Sequence, residues 1–179
     1  MSRTNTLSRL AAVVSAASLA LAAAPAVAGA AKGNIVAGAM SSKSHKTLVT
    51  AVKAAGLVDT LASGGPFTVF APTDGAFAKL PAGTVESLLQ PANREQLRTV
   101  LTYHVVPGKV TASDLVAMIQ ANGGNASLKT VQGGTLSARL ADGKVEIVDA
   151  KGGKATVTTA DLVQSNGVIH VTDAVSLPQ

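Results

Sequence analysis

The chain has 179 residues, 47% of them hydrophobic and 2% aromatic, and it contains no cysteine. This length suits one domain that buries its own core, and the lack of cysteine excludes a disulfide scaffold, a thiolate metal site and a cysteine nucleophile. The net charge is +5, or +3 without Arg3 and Arg9, because thirteen basic side chains then face ten acidic ones. The remaining lysines are scattered and no aromatic side chains are interleaved with them, so we expect no nucleic-acid partner.

The N-terminal segment has the organisation of a secretory signal peptide. It starts with Arg3 and Arg9, continues as an uncharged run from Leu10 to Ala24, and ends in Ala26-Val27-Ala28, which places small residues at the spacing of a cleavage site. The uncharged run is about fifteen residues long, whereas a helix needs ~20 to cross a bilayer. We therefore predict a Sec-type signal peptide at residues 1–28.

Removal of this segment defines the expected mature protein. Cleavage between Ala28 and Gly29 leaves a short tail at 29–33 and a single domain at 34–178. No later apolar segment has the length that a membrane span requires. We expect a secreted or periplasmic product with no membrane span in the mature chain.

The first half of the predicted domain begins with a helix and a strand. Between His45 and Ala55, apolar residues recur at the three-and-four spacing of one buried helical face, and Gly56 stands where such a helix would end. Residues 66–72 form a short run of β-branched and aromatic residues bounded by prolines. This composition predicts a strand followed by a turn.

A second helix is predicted to begin at Asn93. This residue is a favourable N-cap, and Gln96 stands three positions later, as in a capping box. The expected inner face of the helix consists of Leu97, Val100, Leu101, His104 and Val105. Pro107-Gly108 is expected to end it.

The second half of the domain has the period of two that is typical of strands. Leu136, Ala138 and Leu140 alternate with polar residues, Asp142-Gly143 is a tight-turn signal, and Val145 and Ile147 alternate beyond it. This pattern predicts a hairpin. Asn166-Gly167 predicts a second tight turn. Helices followed by antiparallel hairpins indicate an α+β domain.

Three segments of the chain together resemble the fasciclin domain family. They are residues 67–77 (FTVFAPTDGAF), residues 101–106 (LTYHVV) and residues 166–173 (NGVIHVTD). Their order and spacing match the family over residues 34–178. The resemblance implies a wedge of β-strands with helices packed against it, and a role in adhesion or in extracellular-matrix-like interactions.

Within these segments, the residue types favour structural roles. Phe70 belongs to a buried strand that Pro72 closes, and either Thr73 or Asp74 is placed to cap the short helix that carries Phe77. Asn166 and Gly167 are expected to form a turn, after which His170 faces away from Ile169 and Val171. Ser176 stands where the family often has an aliphatic residue, so we expect a less buried last strand.

Two residue pairs are candidates for contact with a partner. Tyr103 and His104 belong to a segment that is implicated in integrin binding in some animal relatives, although their position on an amphipathic helix favours hydrogen bonds to buried backbone. Asp161-Leu162 matches, by its offset before Asn166, an Asp-Ile adhesion motif of some relatives, although the pair also fits the start of a strand.

Catalysis and metal binding receive no support from the sequence. His45, His104 and His170 share no ligand spacing, and no nucleophile elbow or phosphate loop is present. We predict no enzymatic activity, no cofactor and no metal. The sequence favours a non-enzymatic module that binds a surface or extracellular macromolecule. The alternative is a carrier of a small apolar ligand, a lipid or a pigment, in a pocket lined by aliphatic side chains.

Overall fold

The computed structural model describes residues 33–178 of the chain. The predicted signal peptide, the cleavage site between Ala28 and Gly29, and the predicted tail up to residue 32 lie outside these residues. The predicted domain at 34–178 lies within them.

Residues 33–178 contain seven α-helices, most of them short, and one 3₁₀ turn at Pro91–Asn93. The helices are α1 (Ile35–Ser41), α2 (Lys46–Ala54), α3 (Val58–Ser63), α4 (Asp74–Ala78), α5 (Thr84–Leu89), α6 (Arg94–Tyr103) and α7 (Ala112–Ala121). Six of them precede residue 104, as the helical periodicity of the first half predicts.

The same residues contain seven strands that join in one sheet. The strands are β1 (Phe67–Pro72), β2 (Val105–Pro107), β3 (Asn125–Lys129), β4 (Thr135–Ala141), β5 (Lys144–Val148), β6 (Lys154–Gln164) and β7 (Gly167–Thr172). Their order across the sheet is β2-β1-β7-β6-β5-β4-β3. Neighbouring strands are antiparallel except β1 and β7, which are parallel. The predicted α+β fold is confirmed.

Two apolar clusters divide the interior of the domain. The first lies between α1, α2, α3 and α6 and the strands β1 and β7, with Leu48, Leu101 and Ile169 among its buried members. The second lies between α7 and the strands β3 to β6, with Leu115 and Ile147 among its buried members. Aliphatic side chains dominate both clusters because the sequence supplies only four aromatic residues. The helical layer therefore covers one half of the sheet, and α7 covers the other.

The helix at 45–55 and the hairpin at Asp142-Gly143 form as predicted. The helix α2 ends at Ala54, and Gly56 follows with a φ of +68°. Asp142 and Gly143 have φ angles of +50° and +75°, which the tight turn between β4 and β5 requires. Thr73, and not Asp74, caps α4, because its side chain accepts a hydrogen bond from the Ala76 amide at 3.2 Å. Asp74 instead accepts the Thr47 amide at the start of α2, at 2.8 Å.

The second helix starts where predicted, with Asn93 in the N-cap position, but its predicted side-chain cap and its predicted end are wrong. The Asn93 side chain makes no cap of α6, and its Nδ2 donates to the Ser87 carbonyl at 2.8 Å instead. The helix also ends at Tyr103, before Pro107-Gly108. The residues between become β2, because Val105 and Val106 pair with Val69 and Thr68 of β1.

The last two strands also differ from the prediction. The turn between β6 and β7 consists of Ser165 and Asn166, since Gln164 already pairs with Gly167. Gly167 is required for a different reason: a Cβ atom there would lie 1.9 Å from the Phe67 carbonyl oxygen of β1. Ser176 and every residue of β7 are buried, so the expectation of a less buried last strand is wrong.

Candidate interaction surface

Asp161 and Leu162 lie in an irregular part of β6, where the strand bulges away from β7. The pairing between β6 and β7 shifts register on both sides of Thr159, and Asp161 has a φ of +57°. Such a φ is uncommon for a residue with a Cβ atom, although Asp and Asn tolerate it better than most. The bulge leaves both side chains exposed, 39% in the case of Leu162.

Hydrogen bonds hold the bulge to the segment that precedes α7. The Ala112 amide donates to Oδ1 of Asp161 at 2.8 Å, so this carboxylate pairs one of the free amides at the start of α7. The Asp161 amide lies 3.4 Å from Nδ1 of His170, and Nε2 of the same ring lies 2.9 Å from the Val110 carbonyl. Because a carbonyl only accepts, Nε2 carries the proton and Nδ1 accepts.

Thr68 fixes the same loop from β1. Its buried hydroxyl donates to the Gly108 carbonyl at 2.8 Å and accepts the Val110 amide at 2.8 Å. His170 is itself held in place, since its ring stacks on Phe70 with the centroids 5.5 Å apart. The segment 108–112 and the bulge of β6 are therefore joined through buried, hydrogen-bonded side chains.

These contacts bring two distant parts of the sequence to one exposed surface. We call it the bulge surface, and it consists of Lys109, Val110, Thr111, Asp161 and Leu162. Lys109, Asp161 and Leu162 are exposed, and Val110 and Thr111 are half-buried. A groove of about 540 Å³ begins beside it, between α1 and β6, with Leu162 on its wall. A fixed backbone with exposed side chains and an adjoining groove is suited to binding another molecule without large ordering costs.

Tyr103 and His104 lie elsewhere, and both are buried. Tyr103 is 1% exposed; its hydroxyl donates to the Thr135 carbonyl at 2.9 Å and accepts the Ala150 amide at 3.1 Å. His104 is 3% exposed. The hypothesis that a partner contacts an exposed face near Tyr103 to Val110 stays a prediction, but the buried side chains of Tyr103 and His104 are not part of such a face.

Burial also changes the acidity of both groups. It raises the pKa of the Tyr103 hydroxyl, and the negative charge of Asp149 adds to this effect, while the hydrogen bond from Ala150 opposes it. Burial lowers the pKa of His104, against the opposing effects of the Val100 carbonyl and the Asp149 carboxylate. Both groups are therefore neutral at neutral pH.

Each of the three histidines bonds to protein groups at a different place in the fold. Nδ1 of His45 lies 2.7 Å from the Ser42 hydroxyl, and burial lowers the pKa of this ring as well. His104 directly follows α6 as its C-cap, and His170 lies within β7. Over residues 33–178, no three His, Cys, Asp or Glu side chains gather in a way that would hold a metal ion.

An apolar cavity lies on the other side of α1. Side chains of α1, α2, α3, β1 and β7 line it, and His104 is the polar residue among them. The volume of this cavity that the centre of a water-sized sphere can occupy is about 30 Å³. This is enough for a water molecule but small beside the ~300 Å³ at which ligand pockets begin.

The sequence singled out Asp161 and Leu162 but missed the residues that position them. Thr68 and His170 hold the bulge surface together through contacts that join residues 40 to 60 positions apart. No local pattern marks such contacts. The positive φ of Asp161 has one weak sequence signal, since Asp is among the few residues that adopt it.

Comparison with known proteins assigns the family of this α+β domain. The profile of the Fasciclin domain matches residues 43–178. The chain therefore belongs to the fasciclin domain family, as the three sequence segments indicate.

Individual relatives come from bacteria and animals. The chain is 52% identical to "Protein sll1483" of Synechocystis sp. over 144 residues, which are 80% of this chain and 73% of that protein. It is 37% identical to the immunogenic protein MPB70 of Mycobacterium bovis, over 68% of this chain and 54% of that one. It is 34% identical to the transforming growth factor-beta-induced protein ig-h3 of Sus scrofa, over 73% of this chain and 17% of that one.

A solved structure shares the fold. It is the FAS1 domain pair of the insect cell adhesion molecule Fasciclin I, with a TM-score of 0.69 and 24% identity over 79% of this chain and 50% of that one. None of the helices in residues 33–178 has the length and apolar character needed to cross a membrane.

Proposed function

We propose that the protein is a secreted, non-enzymatic binding module that adheres to a surface or extracellular macromolecule through the bulge surface. One observation carries this proposal: Asp161 and Leu162 are exposed on a backbone that His170, Thr68 and the start of α7 hold in place. The bulge costs regular pairing in β6, and a regular strand would not present these side chains in this way. The adhesion molecule with the same fold supports the general role.

The chain offers a matched pair of substitutions for testing the surface. Leu162 is 39% exposed in the bulge, and Leu140 is 40% exposed at the end of β4, outside the bulge surface. Beads coated with the mature chain (residues 29–179), with Leu162→Asp or with Leu140→Asp would be counted on intact cells of the source organism. Albumin-coated beads would serve as the blank, and circular dichroism would verify that both variants fold.

The proposal expects the wild type and Leu140→Asp to attach equally. Leu162→Asp should attach at least about tenfold less, the loss of ~1.4 kcal/mol that a central contact residue contributes. Equal attachment of all three proteins would show that the bulge surface is not the contact site. Attachment no better than albumin would contradict adhesion itself.

The cellular location is part of the proposal. Export requires the predicted signal peptide at 1–28, and the segment Leu10 to Ala24 provides its apolar core. Expression of the full chain in a bacterial host, followed by mass spectrometry of the secreted fraction, should give the mass of residues 29–179. An uncleaved chain retained in the cytoplasm would contradict export.

The second candidate function is carriage of a small apolar ligand such as a lipid or a pigment. The apolar cavity beneath α1 favours it, because its lining includes Val52, Leu61, Val69 and Ile169 and only one polar side chain. At about 30 Å³ the cavity holds no such guest as it stands, so carriage requires α1 or α3 to move outward. Native mass spectrometry of the purified chain tests this: an added, extractable mass supports carriage, and the bare protein mass contradicts it.

A further inference from the structure

Two ionisable side chains hold the far end of the segment that follows β7. We call residues 173–178 the strap. The Ser176 amide donates to Nε2 of His104 at 3.0 Å, and the Leu177 amide donates to Oδ2 of Asp149 at 2.9 Å. Ser176 is 4% exposed. The strap therefore lies against the end of α6 and the turn after β5.

Only a neutral imidazole fits this arrangement. Nδ1 of His104 lies 2.7 Å from the Val100 carbonyl, so Nδ1 must carry a proton, because a carbonyl oxygen cannot donate. Nε2 then carries none and accepts the Ser176 amide. Each ring nitrogen of His104 therefore makes one hydrogen bond, and neither can accept another.

Protonation of His104 removes the acceptor that holds Ser176. The added proton would sit on Nε2 and face the Ser176 N–H, so that two donors oppose each other across 3.0 Å. A buried amide without an acceptor is unfavourable, and so is a buried imidazolium. Both costs are relieved if the strap lifts away and water reaches the ring.

The groups around the ring decide when this happens. Asp149 is the ionised group that acts on His104, and it opposes the burial that lowers the pKa of the ring. The adjacent Tyr103 is a neutral phenol. Towards the cavity, α1, α2, α3, β1 and β7 present apolar side chains only. Protonation is therefore expected on the acid side of the ordinary imidazole value of about 6.5.

Two hollows lie on either side of Pro178, at the end of the strap. One of about 470 Å³ lies against α6, and one of about 410 Å³ lies above Tyr103, and Pro178 lines both. Lifting the strap would remove this shared wall and open a groove above Tyr103, which lines the second hollow. The residues that the strap covers belong to the Tyr-His segment of the family resemblance.

We propose that the strap is a pH-controlled latch: it stays closed while His104 is neutral, and it opens when His104 is protonated, which uncovers the groove above Tyr103. The latch uses neither the bulge surface nor its ligand. Its function is to make a second surface available in acidic surroundings.

Tyr103 is a built-in probe of the latch, because it is the chain's single tyrosine and there is no tryptophan. Acrylamide quenching of tyrosine fluorescence would be measured on the mature chain at about pH 7.5 and about pH 4.5, on either side of the imidazole range. His104→Gln removes the charge, and its amide can donate to Val100 and accept from Ser176. His45→Gln is the matched control, since His45 is also buried but lies away from the strap.

In the wild type and in His45→Gln, acidification should raise the quenching constant at least about threefold, as expected when a buried phenol becomes accessible. In His104→Gln the constant should stay at its neutral value. A chain ending at Ala174 should give the high value at both pH values. A flat response in the wild type, or an equal rise in His104→Gln, would overturn the latch.

Amide exchange in the wild type alone gives a second test, should His104→Gln fail to fold. The Ser176 and Leu177 amides should lose protection as the His104 ring titrates in NMR spectra, while the amides of β7 keep theirs. If the ring titrates and the Ser176 amide stays protected, the latch is wrong.

Discussion

The sequence marks both the Asp161–Leu162 pair and the Tyr103–His104 pair as candidates for contact with a partner, but the fold exposes the first pair and buries the second. The first lies on an exposed bulge, and the second lies in the interior, where Ser176 of the strap bonds to His104. The difference arises from contacts made far along the chain: the start of α7 meets Asp161, whereas Ser176 covers His104. A motif in this family therefore does not reveal by itself whether it meets a partner or the core.

The largest effect on the exposed side is expected from Asn166, which anchors the hairpin that carries the bulge. Its Oδ1 accepts the Ile35 amide at 2.8 Å, and its Nδ2 donates to the Leu61 carbonyl at 2.7 Å and the Gly64 carbonyl at 3.1 Å. Asn166→Ala leaves these groups without partners and should lower the free energy of unfolding by about 3 kcal/mol. Urea denaturation measures it.

The exposed Asn125 of β3 provides the control for that substitution. Asn125→Ala should change the free energy of unfolding by no more than about 0.5 kcal/mol. A similar loss in both variants would mean that the Asn166 side chain does not anchor the hairpin.

The next largest effect on stability is expected from substitution of Asp161. Two variants of this residue distinguish the contribution of the backbone conformation from that of the charge. Asp161→Ala places an alanine at a φ of +57° and removes the acceptor of the Ala112 amide, so it should cost about 2 kcal/mol. Asp161→Asn tolerates the same φ and retains the oxygen, so it should cost less than about 1 kcal/mol. Thermal unfolding of both variants makes the comparison. Equal losses would assign the effect to the charge.

A smaller effect is expected on the covered side from Tyr103→Phe. The ring remains in the core, while the Thr135 carbonyl and the Ala150 amide lose the hydroxyl that bonds them. The free energy of unfolding should fall by about 1 kcal/mol, since water near the strap can replace part of these bonds. Urea midpoints at neutral pH measure it. An unchanged free energy of unfolding would mean that the hydrogen bonds of the Tyr103 hydroxyl contribute nothing to stability.

The smallest effect at neutral pH is expected from His104→Gln, whose value lies in its pH dependence. Burial lowers the pKa of His104 in the folded chain, so below about pH 6.5 the unfolded chain binds more protons than the folded one. The contribution of neutral His104 to stability is fully present above that pH. It is lost as the pH falls through the pKa that His104 has in the folded chain. Wild-type stability should therefore drop more steeply with acid than that of His104→Gln. Parallel pH profiles would contradict this.

Local sequence signals predicted those elements whose geometry is decided by neighbours in the chain. Asp142-Gly143 forms its turn because both residues accept a positive φ, and α2 forms because one apolar stripe faces the core. The pairing of Val105 and Val106 with β1 could not be predicted in this way, because strand pairing joins segments about 40 residues apart. The local pattern of these residues fits a helix equally well, and only the pairing with β1 makes them a strand.

The candidate site shows the same division. Asp161 and Leu162 were recognised from their offset to Asn166, but their exposure depends on a bulge that no local pattern predicts. The residues that complete the bulge surface come from the segment before α7, and a buried His170 joins the two. Ser176 was expected to leave the last strand less buried, but it is itself buried, because its backbone N–H donates to His104 and no aliphatic side chain is needed for that bond.

The parallel pair β1 and β7 has a consequence for the order of events when the chain is made. Phe67 pairs with Gly167, and β7 is the central neighbour of both β1 and β6. In the export that we propose, β1 can pair with β2 early, but it lacks β7, its partner on the other side, until nearly all of the chain has crossed the membrane. Completion of the sheet therefore waits for the last strand, so an exported chain would close its sheet only after translocation.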